Sequence, residues 1–172
     1  MSYRLNIPEG INSLTADEYQ KLIGGKKIQN KVALAGEPSL PSLDIQKTYG
    51  FTIKHWFDID PVPAPRMVRS DKWKKRKCVI KYFNFKKNLL NIANREKYEL
   101  TDTLNVAFII PMPKSWNERK RALNLYRYHR QKPDRDNLLK ALQDAFGYDD
   151  SFISDGRTLK IWGEQGAILI LE

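Results

Sequence analysis

The chain has 172 residues, 41% hydrophobic and 29% charged, with 30 Lys and Arg against 20 Asp and Glu, a net charge of +10. That length fits one domain with an appended segment, and the apolar share excludes a wholly disordered chain. The charge attracts polyanions over a Debye length of roughly 8 Å, which makes nucleic acid the expected partner, while the single cysteine, Cys78, excludes an internal disulfide and a cysteine-built zinc site.

Residues 1–50 are polar and punctuated by Gly24-Gly25, Pro38 and Pro41, and read as an N-terminal arm. Within the arm, Thr15 with Glu18 three positions on has the form of a capping box and predicts a short helix to about Ile23. This opening lacks a signal-peptide pattern, and no run of about 18 apolar residues follows anywhere in the sequence. A soluble, cytoplasmic protein without membrane contact is expected.

From residue 51 the texture changes. Phe51, Ile53, His55 and Phe57 alternate with polar residues as in a half-buried strand, stopped by Pro61, Pro63 and Pro65. A basic stretch, 66–87, follows, and Phe83, Leu89, Leu90 and Ile92 predict a helix with one apolar side. A second strand is expected over 104–110. A charged stretch, 115–130, leads into a helix in which Leu138, Leu139, Leu142, Ala145 and Phe146 recur at three- and four-residue spacing, with Gly147 suited to its end. Strands over 152–162 and 167–171, joined by a turn at Gly163-Glu164-Gln165-Gly166, complete an α+β domain, 51–172, with a small mixed or antiparallel sheet and flanking helices.

The chemistry concentrates in Lys132-Pro133-Asp134-Arg135-Asp136-Asn137-Leu138-Leu139-Lys140. Pro133 biases the preceding residue toward extended backbone, and in an extended segment Asp134 and Asp136 project to one side. Asp136 is suited to cap the helix, which sets Lys140 one turn further along. Tyr148-Asp149-Asp150-Ser151 follows the helix and can bring a third carboxylate to the same place. Singly these residues read as a cap, a turn and a solvated lysine. Gathered on a basic protein that faces a polyanion, the carboxylates call for a cation among them, and hard oxygen donors suit Mg²⁺.

The run Lys132-Pro-Asp-Arg-Asp-Asn-Leu-Leu-Lys-Ala-Leu-Gln-Asp-Ala145 with Asp149-Asp150-Ser151 resembles the signature of the RusA family of Holliday junction resolvases. The likeness extends more loosely over Pro63-Ala-Pro-Arg66 and Pro111-Met-Pro-Lys-Ser-Trp116. It implies a RusA-like fold with an N-terminal extension and a homodimer that makes paired nicks in branched, four-way DNA with Mg²⁺, or Mn²⁺ in its place. Asp134, Asp136 and Asp150 then correspond to the family's catalytic, metal-holding aspartates and Lys140 to its lysine, with Asp149 a weaker ligand candidate. Arg135 departs from the family pattern, which often has an apolar residue between the two aspartates.

Arg66, Arg69, Lys72, Lys74, Lys75, Arg76, Lys77 and Lys81 form a basic stretch that contains one acidic residue, Asp71, and are candidates for phosphate contacts. A second basic group, Arg119, Lys120, Arg121, Arg127 and Arg130, precedes Asp134. Trp73 and Tyr82 can stack on bases or pack in the core. The rival to a nuclease is a non-catalytic DNA- or RNA-binding protein whose aspartates are caps and turns, and metal dependence separates the two.

Overall fold

The computed structural model describes residues 40–73 and 76–172. In chain order they form α1 (Leu40–Tyr49), β1 (Ile53–Phe57), a 3-10 turn (Arg69–Lys72), α2 (Lys77–Arg95), β2 (Asn105–Pro111), α3 (Glu118–Asn124), α4 (Arg135–Phe146), β3 (Thr158–Gly163) and β4 (Ala167–Leu171). The expected helix at 15–23 lies outside the described residues. No helix among them is long and apolar enough to cross a membrane.

The four strands form one sheet in the order β1-β4-β2-β3. β4 runs antiparallel to both β1 and β2, whereas β2 and β3 are parallel, with Val106 opposite both Ile170 and Thr158. The α+β class with a mixed sheet is therefore as the sequence predicts. The turn after Gly163 does not close a hairpin, because β2 lies between β3 and β4.

β2 reads Val106-Ala107-Phe108-Ile109-Ile110, all buried, because both of its faces are covered. Val106, Phe108 and Ile110 join the larger core with α2 and α4, while Ala107 and Ile109 pack with Ile45 of α1 on the opposite face. The segment read as an arm thus ends, over its described residues, in a helix with a fully buried Ile45.

α2 buries Val79, Tyr82, Phe85, Leu89 and Ala93, a three- and four-residue stripe. Phe83 and Leu90, expected on the apolar side, are exposed instead, since the stripe that meets the sheet is set by its neighbours Tyr82 and Leu89. The third strand also begins later than expected, at Thr158 rather than residue 152. Gly156 interrupts it with φ +139°, and a Cβ there would lie 2.0 Å from the Leu104 carbonyl oxygen, so only glycine fits.

Candidate active site

The segment before α4 is laced to the outer edge of β3. Tyr126 N donates to Trp162 O (3.0 Å), Trp162 N to Arg127 O (2.9 Å) and His129 N to Lys160 O (2.8 Å). The Lys160 side chain then reaches past the strand and donates from Nζ to the carbonyls of Gln131 (2.6 Å) and Pro133. The Lys132–Pro133 peptide between them is cis. On the other side Ala64 N donates to Asn137 O (2.8 Å), which docks the Pro63-Ala-Pro-Arg66 stretch on the first turn of α4.

Asp134 is the N-cap residue, with extended backbone at φ −73° and ψ 147° and no side-chain cap bond. Its carbonyl accepts from Leu138 N (3.3 Å), so the helix starts two residues earlier than the sequence suggests and Asp136 sits inside the first turn rather than at the cap. There its negative charge suits the positive end of the helix dipole. The two aspartates consequently do not alternate along an extended segment as expected. Both are exposed, and neither carboxylate accepts a hydrogen bond from a donor among the described residues. Burial holds the Lys160 pKa below its ordinary value, and the charges of Asp134 and Asp136 oppose that shift.

At the far end Gly147 closes α4 in the left-handed region (φ +78°). The buried amide of Gln143 donates weakly to the Asp149 and Asp150 carbonyls (3.5 and 3.4 Å), drawing the following turn back along the helix. Lys140 Nζ then donates to both carboxylate oxygens of Asp150, at 2.5 and 2.6 Å. That bond is the main reason the Lys140 pKa is raised. Asp149 turns away to accept from the backbone N and the hydroxyl of Ser151, both at 3.1 Å, and these bonds hold its pKa below the usual carboxylate range. Asp144, one turn beyond Lys140, accepts from the Tyr82 hydroxyl. Burial first, and that bond second, push Tyr82 well above its ordinary pKa.

The structure therefore joins Lys140, in the middle of α4, to Asp150 of the turn beyond the helix, with Asp136 one turn before Lys140 and Asp134 at the cap. It does not gather the three expected carboxylates into one ligand group: among the described residues no cluster of three or more His, Cys, Asp or Glu is placed to hold an ion. The Lys140 ammonium is the cation at Asp150. Three residues escaped the sequence reading, namely Lys160, Asp144 and Gln143. Asp144 had a signal, its four-residue spacing from Lys140; Lys160 had none, being one polar residue of a strand.

The basic run forms a stapled turn. Arg76 donates to both oxygens of Asp71 (2.5 and 2.6 Å) and to the Arg66 carbonyl (2.9 Å), so its planar fork is committed to the turn itself. Arg66, Arg69 and Lys77 are exposed cations, and Trp73 is 79% exposed beside them. Lys72 lies in the 3-10 turn, and Lys74 and Lys75 lie outside the described residues. Tyr82, by contrast, is buried, which removes it from base stacking.

Carboxylates and a lysine on one helix, with an exposed basic turn on the same domain, define a protein suited to the phosphodiester backbone of a nucleic acid. A model of the endodeoxyribonuclease RusA family matches residues 58–171, and the chain belongs to that family. Its members are nucleases that act on Holliday junctions. A search of curated proteins finds no match.

Proposed function

We propose that the protein is a divalent-metal-dependent endonuclease that resolves four-way and related branched DNA by paired phosphodiester hydrolysis, acting as a homodimer. The observation that carries this reading is the arrangement on α4, in a chain of the RusA family: Asp134 and Asp136 at its start, and Lys140 one turn further along, held on both oxygens of Asp150.

The donor chemistry fits a hard cation at Asp134 and Asp136, whose carboxylates are exposed and free of protein donors among the described residues. One or two carboxylates, completed by water and substrate phosphate, are a usual set for Mg²⁺. Asp150 would join them only on releasing Lys140. When bound, the ion polarises the phosphodiester and makes water a stronger nucleophile.

The remaining work falls to the chain. Lys140 stays protonated at any physiological pH, since its pKa is raised above an ordinary value of 10.5. Asp150 aims that ammonium, which stabilises the negative charge developing on the scissile phosphate. Lys160 holds the carbonyls on either side of the Lys132–Pro133 peptide and so fixes where Asp134 stands. Arg66, Arg69 and Lys77 hold DNA backbone without reading sequence. Pairing of two copies supplies the fixed relation that two symmetric cuts require.

Asp136→Asn is expected to abolish cleavage of a labelled four-way junction while leaving its binding intact or tighter. Binding lost together with cutting would assign Asp136 a structural role and remove the metal from this site.

A further inference from the structure

Beside the start of α4 lies a groove of about 340 Å³ lined by Tyr128, His129, Arg135, Thr158, Leu159 and Lys160. We propose that this groove is a subsite for one nucleotide of the DNA next to the cut, with Arg135 and Lys160 on its backbone phosphate and the Tyr128 ring against its base. The proposal rests on the reading of the chain as a junction-binding protein, and it adds a contact that the RusA signature does not specify.

Arg135 occupies the first residue of α4, between the two aspartates, where the family often carries an apolar residue. A cation at that end of a helix opposes the helix dipole, so it does not serve the helix. Nor is it spent on an ion pair: no Asp or Glu oxygen among the described residues lies within 4.0 Å of its guanidinium, whereas Arg76, Arg95 and Lys140 all have such partners. Arg135 lines the same groove as Lys160, a second cation. Lys160 uses two of its ammonium protons on the Gln131 and Pro133 carbonyls and has a third to give. The acidic neighbours are Asp134 and Asp136, which flank Arg135 in the chain and whose charges favour the protonated form of Lys160. Two cations lining one groove, with one ammonium proton and a guanidinium outside any ion pair among the described residues, suit an anion of two or more oxygens, as a phosphodiester is.

The rest of the groove suits a base. Tyr128 is half exposed, and its ring is backed by Tyr49 of α1 at 5.4 Å between centroids. Its backbone bridges to Ile161, which fixes the main chain that carries the ring. Tyr49 in turn anchors the segment by donating its hydroxyl to the Tyr126 carbonyl (2.5 Å). α1, which precedes the part of the chain matched by the family, thereby supports one wall of the groove. His129 behind it is buried against Trp162, at 3.9 Å between rings, and its Nδ1 accepts from Gln131 N (3.3 Å).

The test is junction binding by fluorescence anisotropy in EDTA, from 50 to 200 mM salt, on the full chain. Arg135→Leu is expected to weaken binding about three- to tenfold, and loss of one phosphate contact lowers the slope of log K against log salt by about 0.7 to 0.9. Arg135→Lys is expected to restore the slope. Tyr128→Leu should weaken binding about fivefold or more with the slope unchanged, as loss of a stacked base would. Arg135→Leu with wild-type affinity and slope would overturn the proposal, as would a loss of affinity that Arg135→Lys does not restore. Because no cleavage is read, a groove that fails here leaves the nuclease reading to its own test, and a protein that binds by these rules but never cuts keeps the groove.

Discussion

Replacing Lys140 with methionine separates a catalytic charge from a surface ion pair. The stem of the side chain is kept and the ammonium is removed. Lys140 and Asp150 are 45% and 62% exposed, so solvent screens their attraction and the pair contributes at most about 1 kcal/mol to stability. For a chain of this size that corresponds to a melting shift of no more than about 4 °C. A preorganised donor that meets charge only in the transition state is worth far more, about 10²- to 10³-fold in rate. The assay is single-turnover cleavage of an end-labelled four-way junction at saturating protein, with thermal melting of the same preparations. A rate loss of that size is expected beside a nearly unchanged melting temperature. A rate within about threefold of wild type would remove Lys140 from the mechanism. A large rate loss matched by a melting shift well beyond 4 °C would make the pair structural.

Stability should fall with acid through His129. Its folded pKa lies below the ordinary 6.5, chiefly through burial and then through the Lys160 charge. As pH drops through about 6.5, the unfolded chain takes up a proton that the folded ring refuses, so stability declines until the folded pKa is reached and is flat below it. In urea titrations between pH 7 and pH 5, His129→Gln should lose part of that decline, and identical slopes in both proteins would refute the assignment. Leu142 is fully buried between α4 and the sheet, so Leu142→Ala should cost about 2–5 kcal/mol of unfolding free energy. A measured loss below about 1 kcal/mol would mean that α4 is not anchored by this face.

What the sequence revealed and what it hid divide by the range of the interactions. α4 was legible because Leu138, Leu142 and Ala145 keep helical spacing and Gly147 supplies the left-handed end, both local signals. Lys140 and Asp150 were legible as candidates, and their meeting was not: it depends on Gln143 drawing the next turn back along the helix. Asp134 and Asp136 compete for the cap, since either is a good cap residue, and the choice is settled by a backbone bond from Leu138 to Asp134 rather than by residue type. Lys160 was hidden because its partners lie 27 and 29 residues away, and a strand pattern gives a side chain's face but not what stands opposite. Tyr82 misled for the same reason, its hydroxyl being taken up by Asp144 on another helix. The stripe on α2 shows a further limit: Phe83 and Leu90 lie next to the buried Tyr82 and Leu89, and composition alone does not choose between adjacent faces.

The most direct measurement is incubation of the purified chain with a labelled synthetic four-way junction and, separately, with linear duplex of the same sequence, each with and without Mg²⁺. Symmetric paired nicks are expected in the junction, only with the divalent ion, while the duplex stays intact. A protein that binds the junction yet leaves it uncut at every Mg²⁺ or Mn²⁺ concentration would contradict the proposed function, and Asp134 and Asp136 would then be no more than the first turn of a helix.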